Sequence, residues 1–152
     1  MYLVMVALLL VVLPFGAALI EYGAGAAPLI ALIGKWYVFW AVGVRLVLAG
    51  LRQNAQPQFT LHEIFHMTSE DAVPIVRELG IANCALGIVA IWSLWRPDFV
   101  LPAAIAGAVF YGAAGVRHAL DRDRALNQTV AMATDLLAGA VLVIFAIHAL
   151  WA

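Results

Sequence analysis

The stretch FTLHEIFHMTSE contains His62, Glu63 and His66 in the spacing His-Glu-x-x-His. In zinc peptidases, two histidines one helical turn apart bind the metal, and the glutamate between them acts as general base for a bound water. The pattern makes Glu63 a candidate catalytic residue and makes His62 and His66 candidate metal ligands. It does not extend to the longer three-histidine motif, because Ser69 stands where glycine is required and Ala72 where the third histidine belongs.

The same residues also fit a plain helix start. Thr60 and Glu63 have the spacing of a capping box, in which the threonine caps the helix and the glutamate reaches back to its backbone. Leu61, Ile64 and Phe65 then follow at the spacing of an amphipathic helix on a membrane surface. A catalytic zinc site, a non-catalytic metal site and a capped surface helix all remain open from the motif alone.

The composition determines what kind of fold must position these residues. Of the 152 residues, 66% are hydrophobic and 11% charged, and the mean hydropathy is +1.01. A soluble domain of this length cannot hide so much apolar surface, so much of the chain must face lipid. The net charge of −1 argues against a nucleic-acid partner.

Hydropathy along the chain predicts an all-α, polytopic transmembrane helical bundle that occupies residues 1–152 as one domain. About five segments approach the roughly 20 residues that cross a bilayer as a helix. A polar connection between helices two and three, residues 52–78, holds the short amphipathic surface helix. The predicted spans cover residues 2–20, 28–51, 79–95, 99–116 and 127–151.

The distribution of positive charge predicts which side each end faces. Alternating spans place five arginines on one side and only two basic residues on the other, so the arginine-rich side is assigned to the cytoplasm. The N-terminus is then cytoplasmic and the C-terminus outside. The five arginines are Arg52, Arg77, Arg117, Arg122 and Arg124; the opposite end carries Lys35 and Arg96 and all five tryptophans, at positions 36, 40, 92, 95 and 151.

Two opposite charges fall at matching depth inside the predicted spans. Arg45 and Asp135 lie roughly 10 and 12 Å from the same boundary, at about 1.5 Å of rise per residue. An unpaired charge in hydrocarbon is costly, so the two are predicted to make contact between helices two and five, and Asn83 is expected to join them. This polar cluster is either an interhelical lock or a site for protons, a quinone head group or an anionic solute.

His148 stands in the apolar stretch VIFAIHALW. The stretch resembles light-harvesting polypeptides, in which a histidine binds bacteriochlorophyll. The resemblance implies that His148 contacts a pigment or haem. A histidine at the outer interface is the alternative.

Three stretches carry a family resemblance: residues 43–53, residues 76–83 and residues 127–135. They resemble a group of uncharacterised bacterial integral membrane proteins related to the DoxX-like families, over about residue 35 to the C-terminus. The resemblance implies a small helical bundle in the bacterial cytoplasmic (inner) membrane, with no established activity or cofactor. It draws attention to Arg45, Arg52, Glu78, Asn83 and Asp135.

Three functions follow as hypotheses. The first is a non-enzymatic accessory or assembly subunit that contacts the bilayer and other membrane subunits, or a second copy of itself, through Gly/Ala-rich and aromatic faces. The second is a membrane redox or metal-dependent enzyme with a quinone, haem or zinc site at Arg45 and Asp135 or at the His-Glu-x-x-His motif. The third is a small-solute transporter, which the lack of a visible inverted repeat disfavours.

Overall fold

The chain folds into five long helices. The computed structural model describes residues 2–65, 67–120 and 126–151, and no strand occurs among them. Each long helix contains a stretch long and apolar enough to cross a membrane, so the predicted all-α membrane bundle is confirmed. Helix α1 consists of Tyr2–Ala7, Leu8–Val12 and Leu13–Gly23; α2 of Leu29–Tyr37, Val38–Val44 and Arg45–Ala55; α3 is Val73–Trp92, α4 is Val100–Leu120 and α5 is Leu126–Trp151.

The third helix begins at Val73, before the apolar span that starts at residue 79, and it ends at Trp92. The sequence predicts this early start, because Ser69 followed by Glu70 and Asp71 is typical of a helix N-terminus. The hydroxyl oxygen of Ser69 accepts a hydrogen bond from the Asp71 backbone N–H at 3.3 Å and so caps a short 3₁₀ turn, Glu70–Ala72, that leads into α3. Pro74 fits the first helical turn, where its missing N–H costs nothing. The predicted helix start at Ser69–Asp71 therefore agrees with the structure, where the first turns of α3 precede the apolar span.

Helices α2 and α4 are also longer than the apolar spans predicted for them. Helix α2 continues to Ala55 and α4 to Leu120, each about one turn beyond the apolar segment that predicted it. A helix can extend beyond the hydrocarbon layer because its backbone hydrogen bonds are made within the helix, in water as in lipid. Between the end of α2 at Ala55 and the start of α3 at Val73, residues 56–72 remain; the predicted cytoplasmic connection of residues 52–78 stays a prediction.

The connecting helix begins at Pro57, three residues before the predicted cap. An α-helical turn, Pro57–Phe59, passes directly into a π-helical turn, Thr60–Ile64. Thr60 lies inside this helix and is buried, so the capping-box interpretation is wrong. Leu61 is fully buried. The connecting helix therefore packs against the other helices of the chain and is not purely a membrane-surface helix.

Helices α2 and α3 approach each other through two pairs of glycines, Gly43 with Gly87 and Gly50 with Gly80. A β-carbon added to Gly87 would stand 2.8 Å from the Gly43 carbonyl oxygen, and one added to Gly80 would stand 2.9 Å from the Gly50 carbonyl oxygen. Only glycine permits backbones to meet this closely. The hydropathy pattern of the sequence does not indicate these pairs.

Helices α4 and α5 also pack through small residues. Ala104 is fully buried, and a β-carbon on Gly139 of α5 would lie 3.1 Å from the backbone of Gly112. The small-residue face of α4 is therefore covered by another helix of the same chain and is not free for a partner.

Candidate functional site

The centre of the bundle holds an ion pair between α2 and α5. Arg45 Nη2 lies 2.9 Å from Asp135 Oδ1, and the side chains are only 12% and 9% exposed. The π-helical segment Val38–Val44 ends directly before Arg45, and such segments are frequent at functional positions of helices. The structure thus brings together the two charges that the sequence places at equal depth.

Tyr111 of α4 covers this pair. The Arg45 guanidinium carbon lies 4.9 Å from the centre of the Tyr111 ring, within the range of a cation–π contact. The Tyr111 hydroxyl donates a hydrogen bond to the Ala41 carbonyl, inside the π-helical segment. Three helices therefore meet at the ion pair. Sequence reasoning missed Tyr111, although a tyrosine within an apolar span is a signal that its hydroxyl needs a partner.

Asn83 takes part in a second polar layer. Its Nδ2 donates to Gln53 Oε1 at 2.8 Å, and both residues are buried. Gln53 follows Arg45 by eight residues, which places this layer about 12 Å further along α2. Asn83 therefore pairs with Gln53 and not with Asp135. Its Oδ1 is buried without a hydrogen-bond partner among the described residues.

Two more polar groups of α2 are buried in the core. The Tyr37 hydroxyl and the Trp40 indole N–H are both shielded from solvent and have no hydrogen-bond partner in the described part of the chain. Tyr37 packs edge-on against Phe15 of α1, with ring centres 5.8 Å apart. Buried polar groups of this kind are usually satisfied by a water or a ligand.

The His-Glu-x-x-His stretch does not form a regular helix. His62 and Glu63 are exposed within the π-helical turn, and the helix ends at Ile64. His62 Nε2 lies 3.4 Å from Glu70 Oε1. His66 lies outside the described residues. Among the residues that are described, no group of three or more histidine, cysteine, aspartate or glutamate side chains could hold a metal ion.

A second ion pair stands near the opposite end of the bundle, where the tryptophans lie. Lys35 Nζ lies 2.8 Å from both carboxylate oxygens of Glu21, and the Trp36 indole N–H donates to Glu21 Oε2 at 2.6 Å. From the sequence alone, the position of Glu21 and Lys35 towards the predicted outer face favours solvated interface anchors. The pairing was predictable in principle, since a short turn between α1 and α2 makes their ends neighbours.

His148 lies near the end of α5 and is exposed. It borders a cleft together with Lys35 and Phe145. The expected pigment or haem contact of His148 stays a prediction.

The five spans and their polar interior define the chain as a polytopic helical membrane protein. The chain belongs to a family of unknown function, DUF6790, whose model matches residues 2–152. No curated protein and no solved structure matches the chain. Membership in an uncharacterised family agrees with the resemblance seen in the sequence, whereas the relationship to the DoxX-like families stays a prediction.

Proposed function

We propose that this protein is a non-enzymatic accessory or assembly subunit of a larger membrane complex, with the Arg45–Asp135 pair acting as an interhelical lock. The single observation that supports this proposal is the enclosure of the pair. The two charges neutralise each other, and the Tyr111 ring stacks on the guanidinium. Neither Arg45 nor Asp135 lines the cleft beside His62 and Glu70 or the cleft beside Lys35 and His148.

Helix α1 offers the surface for a partner. It packs against α2, while Val12, Leu19 and Ile20 are more than half exposed on its other side. Gly16 lies among them, and nothing stands within 4 Å of the position of an added β-carbon. A small residue flanked by large apolar ones is a surface that another transmembrane helix can approach closely.

Site-specific photo-crosslinking in the native membrane tests the proposal. A crosslinking residue at position 20 should capture one membrane protein in constant ratio to the chain. The same residue at Val109, which is 68% exposed on α4, serves as the control and should capture lipid. Equal capture of unrelated proteins from both positions, or capture of lipid alone at both, would overturn the proposal.

The buried Tyr37 hydroxyl favours a second candidate function, a membrane redox enzyme with a quinone near the ion pair. A quinone carbonyl would accept the hydrogen bond that Tyr37 does not make within the described residues. Ligand that binds only the folded state raises its stability by mass action. A short-chain quinone should then raise the melting temperature of the wild-type protein and leave that of Tyr37→Phe unchanged; no rise in the wild type rejects this candidate.

A further inference from the structure

A cleft of about 470 Å³ opens near the tryptophan-bearing end of the bundle, between α2, the turn from α3 to α4, and α5. Its volume lies within the range of about 300–1,000 Å³ that is usual for small-molecule sites. Tryptophans in membrane proteins mark the boundary between the hydrocarbon core and the headgroups. The cleft therefore opens at the depth of that boundary.

The walls of the cleft differ in chemistry. Phe145, Val100 and Leu94 supply an apolar wall, whereas Lys35 and His148 bring an ammonium and an imidazole to its rim. Among the described residues that line the cleft there is no carboxylate. An occupant that is apolar at one end and anionic at the other complements this arrangement.

The apolar wall is built into the packing of α2 against α5. A β-carbon at position 34 would overlap the Phe145 ring, so Gly34 is what allows the ring to lie against α2. His148 follows Phe145 by three residues, which places both side chains on the same face of α5. Lys35 follows Gly34 directly on α2 and lines the same cleft as Phe145.

Lys35 retains capacity to bind an anion. An ammonium group has three N–H donors, and Glu21 accepts two hydrogen bonds from it, each at 2.8 Å. Glu21 belongs to α1 and does not line the cleft. One N–H donor of Lys35 is therefore not used by Glu21, and Lys35 lines the cleft.

We propose that this cleft binds an anionic phospholipid. Lys35 and His148 hold its headgroup phosphate, and the first part of an acyl chain lies along Phe145 and Val100. Basic pockets between transmembrane helices bind anionic headgroups in this way. The membrane that surrounds the bundle supplies such a molecule at the correct depth.

Native mass spectrometry of the full-length chain in detergent tests the proposal by counting retained lipids. Phosphatidylglycerol should be retained in preference to phosphatidylcholine. Lys35→Gln should weaken retention about fivefold, the effect of one cation close to a headgroup, and His148→Gln should weaken it as well. Ala149→Trp should block the cleft without a change of charge, whereas Val109→Trp, on an exposed face of α4, should have no effect.

Glu21→Gln separates the lipid site from the ion pair. Like Lys35→Gln, this change removes the Glu21–Lys35 ion pair, but it leaves the Lys35 cation in place. Phosphatidylglycerol retention should therefore stay the same or rise. Three results would overturn the proposal: equal retention of both lipids, an equal loss in Glu21→Gln and Lys35→Gln, or displacement of the lipid by millimolar inorganic phosphate, which would identify a site for a free anion.

Discussion

Gly87 of α3 lies against the backbone of Gly43 on α2, so closely that a β-carbon on Gly87 would stand 2.8 Å from the Gly43 carbonyl oxygen and 2.9 Å from the Val47 nitrogen. Both atoms belong to the backbone and cannot turn aside as a side chain can. The contact therefore sets the distance between the two helices. Arg45 lies on α2 between this contact and the one at Gly50, which fixes the position from which it reaches α5.

Gly87→Ala should destabilise the bundle. The methyl group would force α2 and α3 apart, and overpacking of this kind costs about 1–3 kcal/mol. The melting temperature of the purified protein in detergent should fall accordingly.

Gly112→Ala is the matched control, because nothing stands within 4 Å of the β-carbon position there. This variant should melt within error of the wild type. If the two variants are equally stable, close contact between α2 and α3 does not limit the stability of the bundle.

Tyr111 contributes through its hydroxyl and its ring, and the two contributions can be separated. Tyr111→Phe removes the hydrogen bond to the Ala41 carbonyl and should cost about 0.5–1.5 kcal/mol. Tyr111→Leu also removes the ring that lies 4.9 Å from the Arg45 guanidinium carbon and should cost more. Equilibrium unfolding in mixed micelles measures both; a leucine variant as stable as the phenylalanine variant would show that the cation–π contact contributes nothing.

The Glu21–Lys35 pair should respond to salt, because its side chains are 26% and 34% exposed. Partly solvated pairs contribute about 0–1 kcal/mol and are screened by ions. Glu21→Gln should therefore lower the melting temperature slightly in dilute buffer, with a smaller difference in 1 M salt, where the Debye length is about 3 Å. A difference that does not depend on salt would mean that the hydrogen bond from Trp36, and not the ion pair, is what the substitution removes.

The histidine motif should not bind zinc at stoichiometric level. Two histidines four residues apart share a face of an α-helix, whereas the turn that carries His62 is π-helical and ends at Ile64. Elemental analysis of protein purified gently from its native membrane should give well below one zinc per chain. Stoichiometric zinc that is lost in the His62→Ala, His66→Ala double variant would restore the peptidase hypothesis.

The sequence predicts the parts of this fold that depend on one-dimensional signals. Span number follows from hydropathy, and the contact between Arg45 and Asp135 follows from their equal distance to one boundary. Depth is the only coordinate that such an argument needs, because opposite charges at the same level in hydrocarbon have a strong reason to meet.

Relationships that depend on rotation about a helix axis escaped the same reasoning. Gly43 and Gly50 are seven residues apart, a spacing that places them on one face of a helix. The spacing does not show that this face meets Gly80 and Gly87 of α3. The expected depth of Asn83 was also wrong, because Asn83 bonds to Gln53, about 12 Å further along α2 than Arg45. Hydropathy places the boundaries of a span only approximately and does not show which helix face meets which neighbour.

The central claim is that Arg45 and Asp135 lock α2 to α5, and a double-mutant cycle tests it most directly. Removing one member of a buried pair strands the other charge at a cost of about 3–5 kcal/mol. Arg45→Ala and Asp135→Ala should each strongly lower the melting temperature in detergent. The single charge reversals Arg45→Asp and Asp135→Arg should lower it as well. The double variant that carries both reversals should melt at a higher temperature than either single reversal. A single substitution that leaves the melting temperature unchanged, or a double variant no more stable than the two single reversals, would contradict the lock.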